Sequence, residues 1–292
     1  MGHCMDHANR FDRVVDPNTL DEDIYSSPRV AVASCGVAVM AKASAPGRAK
    51  TRLVPPLNYE EAAALNTAFL RDVTDNMLLA ARRAAPGASI ATYAAFGPPG
   101  SEDFFRRNFA ASIGLIPAWL PNFGDCLYHT ISGIFARGHA AAVVLNADSP
   151  TLPTALLNET AEMLAQPGDR AVLGPSSDGG YYLLGLKAPH RRMFDDISWS
   201  TERVAEQTLE RAREIKLDVH LLPEWYDVDD VDCLRRLHGE IRRPKPASLQ
   251  PDARTRQPHD ARHTAALFDR LWPDGDFSRG VEEMALTERL RA

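Results

Sequence analysis

Short apolar runs alternate with longer helix-patterned segments from Val37 to Arg242, and this alternation limits the possible folds more than any other feature of the chain. Strand-length runs are read at Val37–Met40, Ser89–Phe96, Leu115–Leu120, Ala140–Asn146, Ala171–Leu173, Tyr181–Leu186 and Val219–Leu222. Helical patterns fall at Tyr59–Ala84, Glu102–Phe109, Asp125–Arg137, Pro153–Gln166, Thr201–Lys216 and Val231–Arg242. Strands joined through helices run parallel, and the crossovers lay helices on both faces of the sheet. The expected fold is a three-layer α/β/α domain with a mainly parallel sheet. Ligands in such sheets bind beyond the carboxyl ends of the strands. The segments after Met40, Leu145, Leu173 and Leu222 should therefore share one edge.

Those segments carry the chemistry. Gly174-Pro175-Ser176-Ser177-Asp178-Gly179-Gly180-Tyr181 feeds a turn with one carboxylate and two adjacent glycines into an aromatic strand. Paired glycines let the backbone take positive φ and bring its amides close to a ligand. Upstream, Val143-Val144-Leu145-Asn146-Ala147-Asp148-Ser149-Pro150 repeats the plan of a buried strand, a lone Asp and a Pro-bounded turn. Asp227-Val228-Asp229-Asp230 follows the last apolar run, with Asp230 in position to cap the closing helix. A hard divalent ion such as Mg²⁺ needs only one or two carboxylates beside phosphate oxygens and water. Asp148 with Asp227 or Asp229 would meet that need.

The loop after the first strand sets four cations, Lys42, Arg48, Lys50 and Arg52, within eleven residues around a Pro46-Gly47 bend. Such a loop can surround a pyrophosphate or triphosphate, Lys acting as a point charge and Arg as a bidentate fork. A solvated basic loop would carry the same charges; its place directly after strand one favours phosphate. The spacing is not that of a Walker P-loop.

At 292 residues, 45% hydrophobic and 25% charged, the chain has the composition of a soluble globular protein. A net charge of −6 gives no support for nucleic acid or an anionic membrane as partner. No apolar run reaches the ~18 residues of a membrane helix, and the start lacks the regions of a signal peptide. Cys4, Cys35, Cys126 and Cys233 are widely spaced, as expected of reduced thiols in the cytoplasm. Residues 1–29, acidic and aperiodic, and 243–264, rich in Pro, Arg, Gln and His, read as disordered tail and linker. Beyond them Ala265–Trp272 and Val281–Leu290 form short amphipathic patterns, expected to dock on the chain's own core. His259 and His263 have helical ligand spacing without a catalytic Glu, and a zinc site there is not expected.

Taken in order, five motifs resemble a bacterial family of GT-A-type, nucleotide-diphospho-sugar transferase-like proteins associated with radical-SAM genes. They are Lys42…Pro46-Gly47-Arg48-x-Lys50-Thr51-Arg52-Leu53, Asn146-Ala-Asp148-Ser-Pro150, Gly174-Pro-x-x-Asp178-Gly-Gly-Tyr181, Ile197-Ser-Trp199-Ser200-Thr201 and Asp227-Val-Asp229. The resemblance covers roughly residues 35–240, placing a transferase domain at 30–242 between the 1–29 tail and a 243–292 linker and helical tail. The basic loop is also similar to that of phospholactate-type guanylyltransferases. The resemblance implies a nucleotide along the sheet edge with Mg²⁺ or Mn²⁺ bridging its phosphates. Asp148 would stand where the surviving acid of an Asp-x-Asp metal motif stands, Asn146 replacing the first. Lys50 and Arg52 would offset charge on the departing phosphate. Lys42, Gly47, Arg48, Asp125, Gly179, Gly180 and Tyr181 would bind substrate, with Trp199, Ser200 and Thr201 contacting the acceptor or merely capping a helix. For Asp178 hydroxyl binding is preferred to base catalysis, since a carboxylate of ordinary pKa is a poor base for an alcohol. One departure lies at Gly124-Asp125-Cys126-Leu127-Tyr128-His129, where the family carries Gly and Arg at the positions of Leu127 and His129; only a protonated His129 could replace the arginine.

The expected activity is glycosyl transfer from a nucleotide sugar to a small-molecule acceptor. Nucleotidyl transfer from a nucleoside triphosphate is the alternative, favoured by the dense cations, and a non-catalytic nucleotide-binding scaffold is the third. The base, sugar, acceptor and oligomeric state are not fixed by these residues.

Overall fold

The computed structural model describes residues 34–243 and 256–274. Seven strands form one sheet in the order β3-β2-β1-β4-β6-β5-β7. They are β1 (Cys35–Lys42), β2 (Ile90–Gly97), β3 (Gly114–Pro117), β4 (Ala141–Leu145), β5 (Arg170–Pro175), β6 (Tyr181–Leu186) and β7 (Asp218–Leu221). The pairings β1–β2, β1–β4, β2–β3 and β5–β7 are parallel, and only β6 runs against its neighbours β4 and β5. The central strands are buried along almost their whole length, as sheets covered on both faces require. The covering helices are α1 (Tyr59–Arg83), α2 (Glu102–Asn108), α3 (Phe123–Ala136), α4 (Thr154–Ala165), α5 (Val204–Glu214) and α6 (Val231–Ile241). This is the α/β architecture the alternation implies.

Two apolar layers follow from the period-2 side-chain alternation of the strands. Val37, Val39, Val143 and Leu145 face Leu70, Val73 and Met77 of α1 and Leu156 and Leu157 of α4. Ala38, Ala142 and Val144 face Leu127, Ile131 and Ile134 of α3 on the other side. A third cluster lies at the sheet's edge, where Leu53 and Leu57, Leu65 and Phe69 of α1, Tyr226, Val228, and Leu234 and Leu237 of α6 pack together. Leu267 and Phe268 of a last helix, α7 (Arg262–Leu271), complete it.

The sequence places that last helix at Ala265–Trp272; in the structure it starts a turn earlier. No side chain of its own caps it. Instead Asp72, fully buried on α1, accepts hydrogen bonds from His263 N (2.8 Å), Thr264 N (2.9 Å) and Thr264 Oγ1 (2.6 Å). A carboxylate supplied by another helix thus satisfies the orphan amides and complements the positive end of the helix dipole. His263 pairs with Asp75 at 2.9 Å. The expectations for residues 1–29 and for Val281–Leu290 lie outside the described residues. No described helix is long and apolar enough to cross a membrane.

Candidate functional site at the carboxyl edge of the sheet

β1, β4, β5 and β7 all end at one edge, and the reversed β6 begins there. The β5–β6 connection is a tight turn, with Pro175 paired to Tyr181, and it holds Asp178. The segment after β7 runs beside it: Ser176 bridges Trp225, Trp225 N donates to Pro175 O at 3.1 Å, and Val228 N donates to Asp148 O at 2.9 Å. In this extended segment Tyr226 and Val228 point into the third apolar cluster. Alternation turns Asp227 and Asp229 the other way. Their carboxylates meet that of Asp178: one oxygen from each of the three lies within 4.8 Å of the others. Among the described residues this is the one acidic or mixed group with metal-ligand spacing.

The turn fixes its acid firmly. Asp178 Oδ1 accepts from Ser176 Oγ (2.6 Å) and Gly180 N (2.9 Å). Gly179 has φ +88°, and a Cβ there would stand 2.0 Å from Glu202 O. Asp227 is pushed up to about 6 by burial first and then by the charges of Asp178 and Asp229. Such mutual repulsion among hard oxygen donors marks a group that suits a small divalent cation. The residues therefore fit Mg²⁺ or Mn²⁺.

Asp148, expected from the sequence to join Asp227 or Asp229 on the metal, lines the same cavity as Asp229. Here it pairs with Lys50, whose Nζ lies 2.9 Å from Asp148 Oδ1, 3.0 Å from Asp229 Oδ1 and 2.6 Å from Val228 O. The Lys50 side chain is only 5% exposed. Burial works against its charge, but the carboxylates of Asp148 and Asp229 outweigh it and hold its pKa above the ordinary value. Lys50 thus pairs with the acids while it lines the cavity with Arg52. Arg52 remains 78% exposed, 3.9 Å from Asp229 Oδ2. Asp178, expected to bind a hydroxyl, belongs with the acids.

A cavity of about 410 Å³ opens next to this group. Lys42, Arg48, Lys50, Arg52, Asp148, Asp229 and Tyr181 line one part; Met40, Leu127, Val144 and Phe123 form an apolar wall. Gly47 shapes the loop with φ +71°, and Asn66 on α1 ties it down, donating to Lys42 O and Ser44 Oγ. Two buried polar atoms at the cavity, Asn146 Oδ1 and the Tyr181 hydroxyl, have no hydrogen-bond partner. Burial raises the Tyr181 pKa, keeping the phenol protonated.

The remaining expected residues stand back from the cavity lining. Asp125, in the first turn of α3, forms an ion pair with Arg191 at 2.6 Å. The Trp199 ring meets Phe123 edge to face at 5.4 Å, so it reaches the cavity only through that neighbour. Gly124 allows this approach, since a Cβ there would lie 2.8 Å from Trp199 Nε1. Ser200 takes φ +64° in the turn, and Thr201 Oγ1 donates to Ser198 O. The helix begins at Val204, beyond both. Burial lowers the pKa of His129, which works against the protonated form that would replace an arginine. Sequence reasoning missed Phe123 and Asn66, neither of which stands out by type or spacing.

This α/β fold is shared with solved structures. It matches a Desulfovibrio desulfuricans G20 crystal structure, provisionally described as a nucleotide-diphospho-sugar transferase, with TM-score 0.66 and 24% identity over 85% of this chain and 100% of that one. A CMP-2-keto-3-deoxy-manno-octonic acid synthetase complexed with CTP follows at 0.45 and 11% identity, covering 70% and 97%. A cytidylyltransferase from Leptospira borgpetersenii gives 0.42 and 9%, covering 83% and 95%. Residues 79–201 match a family described as uncharacterised proteins conserved in bacteria, DUF2064. No protein of curated function matches the sequence.

Proposed function

We propose that this protein is a nucleotide- and divalent-metal-dependent transferase, moving a glycosyl group from a nucleotide sugar to a small acceptor. The carrying observation is that Lys42, Arg48, Lys50 and Arg52 line one cavity on the carboxyl edge of the sheet with Asp148 and Asp229, and that Asp229 also belongs to the acidic group with Asp178 and Asp227. The fold shared with a protein described as a nucleotide-diphospho-sugar transferase supports the same reading. Asp178, Asp227 and Asp229 would hold Mg²⁺ or Mn²⁺, and the bound cation would offset negative charge on the phosphates. Arg48 and Arg52 would grip phosphate oxygens, with Lys42 adding a point charge. The apolar wall of Met40, Leu127 and Phe123 would shield the reacting groups from water and strengthen those interactions. Asn146 Oδ1 and the Tyr181 hydroxyl offer unfilled hydrogen bonds to the ligand. Nucleotidyl transfer from a nucleoside triphosphate is the second reading, favoured by four loop cations, Lys42, Arg48, Lys50 and Arg52, on one cavity.

A thermal-shift panel of nucleotide sugars and nucleoside triphosphates, with and without Mg²⁺ or Mn²⁺, tests this. A ligand at a hundred times its Kd should stabilise the fold by about 2.7 kcal/mol. Stabilisation by nucleotide sugars alone supports glycosyl transfer, and by triphosphates alone nucleotidyl transfer. Metal-independent binding without turnover would leave only a scaffold. In the same assay Asp227→Asn should remove the metal-dependent part of the shift.

Alanine variants of the loop separate contact from a general field. Arg48→Ala and Arg52→Ala should each weaken nucleotide binding by roughly tenfold or more, since a charge-assisted bond is worth about 1.5–3 kcal/mol. Lys42→Ala, a point charge at the cavity rim, should lose less. Small, equal losses erased by salt across all three would overturn phosphate binding by this loop.

A further inference from the structure

The two segments that carry Asp148, Asp227 and Asp229 are stitched together from behind. Asp148 lies on the loop after β4, and Asp227 and Asp229 lie on the extended segment after β7. Ser149 Oγ donates to Tyr226 O at 2.9 Å, and Val228 N donates to Asp148 O at 2.9 Å. A third link is made by a side chain that points away from the acids. The Tyr226 hydroxyl donates to the Glu240 carboxylate on α6 and lies 3.2 Å from Thr151 Oγ1, on the same loop as Asp148. Thr151 is itself held from outside, its carbonyl accepting from His259 N at 3.0 Å. The Arg236 guanidinium stands 3.8 Å over the Tyr226 ring. Ser149, Thr151 and Tyr226 are fully buried, so water does not compete for their hydroxyls. Burial, and then the bond to Glu240, raise the Tyr226 pKa and keep the phenol a donor.

We propose that Tyr226 is a positioning residue: anchored by Glu240, it sets the spacing between the Asp148 loop and the Asp227–Asp229 segment before any ligand arrives. It touches no ligand; it acts through the backbone that carries the acids. Tyr226 is the chain neighbour of Asp227, so whatever fixes its ring fixes where that carboxylate emerges. The inference rests on the metal-dependent reading above and deepens it by tracing the acid geometry to a contact on the far side of the segment. Lys50 also bridges Asp148 and Asp229. An ammonium on a flexible four-carbon stem can follow acids that move, however, and a buried, anchored ring cannot. Glu240 and the chain at 256–261 thereby belong to the frame of the site, though neither lines its cavity.

Calorimetric titration of the full chain with Mn²⁺ alone, at a temperature where every variant is folded, tests this. Tyr226→Phe keeps the ring and removes only the hydroxyl. It should weaken Mn²⁺ binding by about tenfold or more, the range for residues that orient metal ligands. Glu240→Leu should reproduce that loss. Glu240→Gln, which keeps an oxygen to accept from the phenol, should recover most of it. Tyr226→Phe combined with Glu240→Leu should be no worse than either alone, since both remove one link. Should Tyr226→Phe fail to fold, the two Glu240 variants decide, because that side chain is only half-buried. A lower melting temperature with unchanged Mn²⁺ affinity in folded Tyr226→Phe or Glu240→Leu would overturn the proposal and leave the link a part of the fold only. So would additive losses in the double variant, or a Glu240→Gln as weak as Glu240→Leu. Absence of any Mn²⁺ binding by the parent would instead defeat the metal-dependent function itself, and the proposal with it.

Discussion

Gly179→Ala is expected to lose about 3 kcal/mol or more of stability and, with it, all divalent-ion-dependent nucleotide binding. Two costs combine. A side chain at φ +88° is strained by about 1–2 kcal/mol whatever surrounds it. The new Cβ would also stand 2.0 Å from the Glu202 carbonyl oxygen, which is backbone and cannot swing aside. The turn must move, and Asp178 moves with it, because Ser176 Oγ and Gly180 N hold that carboxylate in place. Gly179 O also accepts from Ala205 N at 2.9 Å, so the shift reaches the start of α5. Gly168→Ala is the control: its φ is +87°, but nothing lies within 4 Å of the added carbon. It should cost only the strain, about 1–2 kcal/mol, and leave binding intact. Denaturant unfolding and Mn²⁺-dependent thermal shifts of both variants give the comparison. Equal losses, or normal binding by Gly179→Ala, would show that the clash is relieved without moving the acid.

Phe69→Ala should cost about 3–5 kcal/mol and lower the melting temperature by roughly 6–20 °C. Phe69 is fully buried in the third apolar cluster, against loop residues Leu53 and Leu57, the Tyr226–Val228 segment and Phe268 of α7. Truncation leaves a hole where these pieces meet, and none of them is covalently near enough to collapse into it. It also removes the aromatic face beneath the Lys50 ammonium. Binding should therefore weaken beyond what lost stability explains, even at temperatures where the variant is fully folded. Phe69→Leu refills most of the volume and should recover most of the stability but not the aromatic face. If Phe69→Ala binds Mn²⁺ and nucleotide as the parent does while melting early, the cluster supports the fold without positioning the site.

Much of the scaffold was legible because burial on both faces writes itself into continuous apolar runs. Strands and helices fell within a few residues of their read positions, with two instructive exceptions. The α5 start was read at Thr201 and lies at Val204, because Ser200 and Thr201 serve the turn. The α7 start was missed because its cap comes from Asp72 on another helix, and local pattern carries no trace of it. The reversal of β6 was available in principle: the connection from Pro175 to Tyr181 is too short for a crossover helix, so the strands must be antiparallel. The chemical residue types and their edge were legible too. How they pair with one another was not, since Lys50 finds a partner 179 residues away and only tertiary geometry brings it to Asp148 and Asp229.

The cluster that joins Leu53, Leu57 and Phe69 to Tyr226, Val228 and Phe268 also sets an order of events during synthesis. A chain leaving the ribosome presents its cationic loop and the apolar strip behind it long before their partners exist. At about 5–20 residues per second the wait between Phe69 and Phe268 is roughly 10–40 s. Asp148 and Asp229, which neutralise Lys50, emerge partway through that interval, whereas α7, which covers Phe69, comes last. The apolar strip of Leu53, Leu57 and Phe69 therefore waits longest for its cover, and a nascent chain is most exposed to aggregation there.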